Sequence, residues 1–365
     1  MHQPSIALYL PRYSTYGGVE RFAYNLANFL TDQQFKVFFI CARQEIPNHN
    51  QRLTIIRTGR PLLPKFGKMA WYILKSEQIK KKIKADIHFS LGKNLSNDLL
   101  RIGGGPLKTF WQLSQKAYLG FEQKLKMFKR KTSPANWLTF YLERSQLQKA
   151  KKIICVSHLV KKWLKQSYPF LEENKLEVVY NLPDLKKFYP RPKQKYNLRE
   201  KFKLPLKNKL ILTVATNFKL KGISFLIHSL QYLPSNYTLV IAGNRNPYLY
   251  QRLARQLQLD SRVIFLGKVM EIEKLYSACD FFVLNSFYDA CSNALLEAMA
   301  SGLISISSQF NGSSCFLPPS NIINDPTDPK QIAQIIKTAQ YIPLNFPKDY
   351  KFGFQPYLEI INQLL

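Results

Sequence analysis

The run Tyr288-Asp-Ala-Cys-Ser-Asn-Ala-Leu-Leu-Glu297-Ala-Met-Ala-Ser-Gly302 constrains this chain more tightly than any other segment. It sets Asp289 eight positions before Glu297, where the residue pattern changes from strand to helix. The run before it, Asp280-Phe-Phe-Val-Leu-Asn-Ser286, reads as a buried strand of an α/β sheet, and residues 292–300 read as a short helix closed by Gly302. Ligands of open α/β sheets bind where strands end and helix N-termini present their amides. Asp289 is therefore placed to hydrogen-bond a polyhydroxylated ligand. The backbone of Ala290, Cys291, Ser292, Asn293 and Ala294 is expected to be free to hold phosphate oxygens. Glu297, in the first or second turn, can accept hydrogen bonds from a ribose diol. The pattern suits a nucleotide sugar; a capped helix with acidic residues complementing its dipole is the plainer alternative.

A second phosphate-type loop near the N-terminus favours the ligand. Ile6-Ala-Leu-Tyr-Leu10 is a short apolar strand, followed by Pro11-Arg-Tyr-Ser-Thr-Tyr-Gly17-Gly18-Val-Glu20 and a helix over 20–30 with Phe22, Leu26, Phe29 and Leu30 on one face. Strand, glycine pair and helix start together let a backbone approach an anion with no Cβ in the way. No basic segment precedes the strand, so a signal peptide is not expected.

Gly17-Gly18-Val-Glu20, the Lys221-Gly222 pair, Ala242-Gly243, Phe265-Leu-Gly267-Lys-Val269 and the element from Asp289 to Glu297 resemble the retaining glycosyltransferases of family 4. That resemblance implies the GT-B fold, an α/β architecture of two Rossmann-like doubly wound domains facing each other across a donor cleft. It assigns donor contacts to Gly17, Gly18, Lys221, Lys268, Val269, Asp289 and Glu297 as well as the backbone of 290–294. Catalysis falls to Asp289 at the transferred sugar and Lys221 at the leaving diphosphate. Such enzymes are thought to need no protein nucleophile and, on this reading, no metal. The stretch Asp98-Leu-Leu-Arg101-Ile-Gly-Gly-Gly-Pro106 is similar to the subgroup of lipopolysaccharide core glucosyltransferase I. Departures are also legible. Leu220 stands where the family usually carries an arginine, for which Lys219 could substitute, and Asp289 replaces the commoner Glu. Gly104 and Leu107 occupy positions where the subgroup carries Asp and His. These departures leave open a degenerate member that binds nucleotide sugar or lipid without turnover.

A length of 365 residues suffices for two cores of ordinary size, and 46% hydrophobic with 21% charged residues is a globular composition. No apolar run approaches the ~18 residues of a membrane span. Cys41, Cys155, Cys279, Cys291 and Cys315 are scattered without metal-ligand spacing, as are His2, His49, His88, His158 and His228. Buried thiols in a reducing cytosol are expected, and a zinc site is not.

Charge is the other strong signal. The formal net charge is +30, and residues 1–204 carry 39 Lys+Arg against 13 Asp+Glu. Residues 108–165 hold fourteen basic residues and two acids, Glu122 and Glu143, among aromatics such as Phe110, Trp111, Phe121, Phe128, Trp137 and Tyr141. Anionic phospholipid attracts such a surface, and Trp and Tyr favour the interface. A solvated basic face is the bland alternative. Nucleic-acid binding is permitted by charge alone, yet no zinc-finger spacing or RNA-binding signature accompanies it.

Strands are expected at 5–10, 35–41, 53–57, 86–90, 152–156 and 178–181, then at 209–215, 237–242, 262–266, 280–285 and 303–307. Helices are expected at 68–84 and 136–149. The alternation is doubly wound. Residues 1–190 form the acceptor-side domain, 191–345 the nucleotide-sugar domain, and 346–365 a closing helix that, by resemblance, crosses back to the first. The expected protein moves a hexose-type sugar, from UDP in the first instance, to an anionic cell-envelope glycolipid such as lipopolysaccharide core. It would work in the cytoplasm, attached peripherally to the inner face of the membrane.

Overall fold

The computed structural model describes residues 3–95 and 97–365, so His2 lies outside the described residues. Contacts divide the chain into two units: residues 1–109, 124–181 and 349–365 in the first, and 110–123 with 182–348 in the second. The division falls at 181/182, where the sequence suggested 190/191. It also assigns 110–123 to the second unit, away from the acceptor-side domain in which the sequence placed it. The basic excess divides with it: 31 Lys+Arg against 12 Asp+Glu in the first unit, 22 against 11 in the second. The excess is therefore less one-sided than a cut at 204 suggests, because the lysines of the 182–204 segment belong to the second unit.

The first unit is built on an eight-stranded parallel sheet. Its order is Lys351–Phe352, Leu176–Tyr180, Lys152–Cys155, Leu99–Ile102, Ile87–Ser90, Ser5–Tyr9, Lys36–Cys41 and Leu53–Arg57. Parallel strands covered on both faces read as unbroken apolar runs, and Ser5–Tyr9 is buried along its whole length. Its side chains part by strict alternation. Ile6 and Leu8 join a core with Val37, Phe39, Ile87 and Phe89, whereas Ala7 and Tyr9 pack with Ile40 on the other face. The closing helix Gln355–Asn362 belongs to this unit. Buried Arg101 ties it in: Nε donates to Tyr357 Oη at 3.0 Å, Nη2 donates to Asn181 Oδ1 at 3.0 Å, and the guanidinium lies 3.7 Å from the Phe22 ring centre. The segment from Asp98 contributes a strand not expected from its residue pattern. Its Asp98 carboxylate caps a neighbour by accepting from His88 N at 3.0 Å.

The second unit carries a six-stranded parallel sheet: Val263–Gly267, Tyr237–Ala242, Lys209–Val214, Phe281–Leu284, Ile304–Ser308 and Ile322–Ile323. In chain order this is 3-2-1-4-5-6, the dinucleotide-fold order. Ile211, Leu239, Ile241, Phe281 and Val283 build one core; Leu210, Leu212, Val240, Phe282 and Leu284 build the other. The entry helix Lys195–Lys201 is anchored by buried Arg199, whose Nη2 donates to Asp280 Oδ2 at 2.8 Å while the same oxygen accepts from Leu210 N at 2.7 Å.

The helix Gly120–Thr132 is unusual. At 100° per residue, Phe121, Leu125 and Phe128 fall within about 60° of one another, and they are 78%, 40% and 65% exposed. Buried Arg130 and half-buried Met127 and Gln123 lie on the opposite side. Its apolar stripe therefore faces away from the protein. The next helix, Pro134–Lys149, buries Ala135, Thr139 and Leu142 and exposes Trp137 and Tyr141. Among the described residues, no helix is long and apolar enough to cross a membrane.

Candidate functional site

Lys209–Val214 and Phe281–Leu284 are adjacent, and each connects onward to a helix, Ile223–Ser229 after the first and Asn293–Ala300 after the second. These two strands are the first and fourth of the sheet in chain order, so the strand order reverses between them, and ligands of open α/β sheets bind at such a point. The 216–222 turn brings Lys221 there; the 285–292 loop brings Asp289.

Glycine geometry sets the turn. Gly222 sits at φ +58°, and a Cβ there would lie 2.6 Å from the Asn285 carbonyl oxygen and 2.5 Å from Asn285 Nδ2. Only a residue without a side chain lets the turn lie against the loop after Phe281–Leu284. Phe287 N donates to Leu220 O at 2.9 Å, fastening the two segments. Lys221 is thereby aimed across the strand ends. Its Nζ donates to Ser286 Oγ at 3.1 Å and ion-pairs with the Asp289 carboxylate. Among the described residues these contacts take two of its three ammonium protons.

Asp289 is held by its backbone as well. Its N donates to Phe310 O at 2.9 Å, and its carbonyl accepts from Gly312 N at 2.9 Å. Buried Asn311 completes the clasp: Oδ1 accepts from Ser292 N at 3.2 Å and from Ser313 N at 3.1 Å, and Nδ2 donates to Ser307 Oγ at 2.9 Å. Ser292 caps the helix by accepting from Leu295 N at 3.3 Å. This corrects one expectation. The backbone of 290–294 is not wholly free for an anion, because the Ser292 amide is committed to Asn311. Cys291 Sγ lies 3.3 Å from Ser313 Oγ, in the same clasp. Asn293 and Ala294 open the helix, and Ala290 is buried beside the loop.

Glu297 is buried one turn into that helix, and Tyr276 Oη donates to its Oε2 at 3.3 Å. Lys268 is exposed beyond the end of Val263–Gly267, while Val269 is half-buried against the second-unit core. Lys219, the candidate substitute for the arginine missing at Leu220, is ion-paired with Glu122 and lies 5.2 Å from the Tyr118 ring centre.

Gly17 and Gly18 belong to the first unit. Gly17, at φ +115°, precedes the helix Gly18–Asp32, and the Glu20 carboxylate folds so close that a Cβ on Gly17 would lie 2.2 Å from its Oε2. In the same unit Gly104 lies in a bend, and Leu107 N donates to Glu143 Oε1 at 3.1 Å, so the Glu143 carboxylate caps the helix Leu107–Ser114. Burial raises the Glu143 carboxyl above its usual range even though Tyr168 Oη donates to it at 2.7 Å.

Sequence reasoning missed Asn311, Ser286 and Tyr276. The first had a signal, the Asn-Gly dipeptide at 311–312 just past an apolar run. The other two had none, since a serine at a strand end and a tyrosine inside a helix are ordinary.

Comparison with known proteins finds matches along most of the chain. Residues 16–187 match the family described as Glycosyltransferase Family 4, and residues 194–341 match Glycosyl transferases group 1. The chain is 26% identical over 164 residues to the lipopolysaccharide glucosyltransferase WaaG of Escherichia coli K12, covering 43% of this chain and 44% of that protein. It is 29% identical over 177 residues to an Escherichia coli UDP-Gal:alpha-D-GlcNAc-diphosphoundecaprenol alpha-1,3-galactosyltransferase, covering 46% and 42%. The matching region is thus less than half the length of either relative. A solved structure of WaaG, a glycosyltransferase involved in lipopolysaccharide biosynthesis, superposes with a TM-score of 0.75 at 20% identity over 91% of this chain and 89% of that one. At that identity the superposition shows the fold, GT-B.

Proposed function

The chain belongs to the family 4 and group 1 glycosyltransferases, and from that membership and its site we propose a sugar transfer with retention at the anomeric carbon. The donor is a nucleoside diphosphate hexose, UDP-linked in the first instance. The acceptor is a cell-envelope glycolipid or glycan such as lipopolysaccharide core.

The observation that carries this reading is the Lys221, Ser286 and Asp289 cluster at the sheet's switch point, beside the N-terminus of Asn293–Ala300. Two Lys221 protons are placed on protein oxygens, and the third is directed to a diphosphate oxygen. The helix terminus adds positive potential on the same side. Negative charge that builds on the leaving diphosphate is met by groups already oriented, which is the dominant route to rate enhancement in such sites. The acceptor oxygen bonds to the anomeric carbon as its bond to the phosphate oxygen breaks, and that phosphate oxygen takes the acceptor proton. Asp289 accepts hydrogen bonds from the transferred sugar, and Glu297 from the ribose. Lys268 and Val269 border the nucleobase. No metal ion is assigned a role, because lysine and amides supply the positive charge.

The outward apolar stripe of Gly120–Thr132, with lysines at 124, 126, 129 and 131, supports docking on an anionic membrane. The protein then works peripherally at the cytoplasmic face, where a glycolipid acceptor is presented. A second reading, binding without turnover, is favoured by Leu220 together with the Lys219–Glu122 pair, which leave one cation fewer for the diphosphate. Incubating purified protein with a panel of nucleotide sugars and a membrane extract separates the two. Transfer supports the enzyme, and donor binding without transfer or hydrolysis supports the second reading.

A further inference from the structure

We propose that Asn311, on the segment after Ile304–Ser308, is the positioning residue that sets the donor loop for the diphosphate. The inference rests on the nucleotide-sugar reading of the second unit.

Asn311 is fully buried, and its side chain makes three hydrogen bonds at once. One fixes the Ser292 amide, which otherwise opens the helix facing the donor. One fixes Ser313 N, and Ser313 Oγ in turn donates to Ser292 O at 3.3 Å. The third reaches back to Ser307 on the neighbouring strand. The backbone alongside pairs with Asp289 in both directions. Beside these main-chain ties, the Asn311 carboxamide joins the Ser292 amide, the Ser313 amide and the Ser307 hydroxyl in one cluster. Its chemistry is also specific. The position needs an acceptor for two N–H groups and a donor for one hydroxyl, and it must be neutral beside a bound diphosphate. Aspartate meets the first requirement and fails the other two; alanine meets only the last.

The pH dependence of Asn311→Asp separates positioning from mere folding. At pH 8 the introduced carboxylate adds a buried negative charge near the diphosphate, and UDP affinity should fall at least about tenfold relative to the native protein. Toward pH 5 the buried carboxyl takes up a proton and again resembles the carboxamide, so the deficit should shrink to about threefold or less. Isothermal titration with UDP at both pH values, on the native protein and on Asn311→Asp, reads this directly. Asn311→Ala should lose affinity equally at both. Thermal melts monitor folding, and if Asn311→Ala does not fold, the Asn311→Asp ratio alone decides. A deficit that is the same at pH 8 and pH 5, or no deficit, overturns the positioning role while the donor site stands. If the native protein binds neither UDP nor another nucleoside diphosphate, the donor reading itself fails, and the inference with it.

Discussion

The Lys221 ammonium and the Asp289 carboxylate form an ion pair in which only 16% and 18% of the side chains remain exposed. A lysine just before a helix and an acid just before another helix, far apart in sequence, are thus one functional unit. A surface pair of this kind contributes little to stability, but this one is half enclosed and oriented by Ser286. Its value lies in placement. On the proposed reading the pair presents a cation toward a phosphate and an acceptor toward a sugar from the same point.

Lys221→Ala should therefore weaken UDP binding by about 1.5–3 kcal/mol, the range for a hydrogen bond to a charged group. The fold should survive, since a half-buried lysine contributes little core area. Glu297 needs a gentler change, because truncation removes an acceptor of the Tyr276 hydroxyl; Glu297→Gln keeps that contact and removes the charge proposed to grip the ribose. It too should weaken UDP. Calorimetric titration checks both, and unchanged affinity in the two variants would remove the assignment.

Asp289→Asn should reduce turnover more than UDP affinity. The loop is held by main-chain bonds to Phe310 and Gly312, which the substitution leaves alone. What changes is the charge available to a sugar hydroxyl and to Lys221. Steady-state donor hydrolysis set against UDP titration separates the two effects. Equal losses would mean that the carboxylate serves the loop.

Gly222→Ala tests the turn. A non-glycine residue at φ +58° costs about 1–2 kcal/mol, and the new Cβ would press on the Asn285 backbone, which cannot swing aside. A loss of at least about 2 kcal/mol in urea unfolding is expected. A loss under about 0.5 kcal/mol, the size of an ordinary surface change, would show that the turn relaxes freely.

The strands of both sheets were legible because buried parallel strands are nearly continuous apolar runs, and Asp280-Phe-Phe-Val-Leu is as clear as Ile6-Ala-Leu-Tyr. Leu99–Ile102 was missed because its glycine-rich sequel drew attention to a loop. Ile322–Ile323 and Lys351–Phe352 are two residues each, too short to show any period. Within the candidate site, Lys221 and Asp289 stand out in the sequence because each lies between a strand and the next helix, and Glu297 because it is a carboxylate one turn into an apolar helix. That Ser292 N was already engaged could not be read locally. Its partner Asn311 follows the next strand, and only the parallel register of Phe281–Leu284 with Ile304–Ser308 brings them together.

Stability should also depend on His88. Burial, followed by the charge of Lys80, lowers its imidazole from an ordinary 6.5 to about 4, while Asp98 pulls the other way. The neutral ring shares a 2.8 Å hydrogen bond with Tyr9 Oη. Between pH 6.5 and about 4 the unfolded chain binds the extra proton, so stability falls as pH falls through that window and the contribution is fully present above 6.5. Allowing for screening of a partly exposed ring, the loss is about 1–2 kcal/mol. Urea unfolding of native protein and of His88→Gln at pH 7 and pH 4.5 measures it. A pH difference of equal size in both proteins would assign it elsewhere.

Membrane docking makes the last prediction, and it rests on an inversion. A helix on an ordinary protein surface turns its apolar residues inward; Gly120–Thr132 turns Arg130 inward and Phe121, Leu125 and Phe128 outward. Exposed apolar area on this scale is costly in water at about 25 cal/mol per Å², so a partner that covers it gains that amount. Lys124, Lys129 and Lys131 flank those residues, each worth about 1 kcal/mol near an anionic bilayer and screened beyond roughly 8 Å at physiological salt. Trp137 and Tyr141, exposed on the following helix, are residues that favour the headgroup region. Co-sedimentation with anionic vesicles should therefore be strong at low salt, weaker at high salt, and not abolished there, because the apolar share is insensitive to screening. Replacing Leu125 and Phe128 with serine should remove the salt-resistant part and leave UDP affinity unchanged. Equal binding to neutral and anionic vesicles would discard the electrostatic half of the idea. Full binding by the double-serine variant at high salt would discard the insertion of this helix.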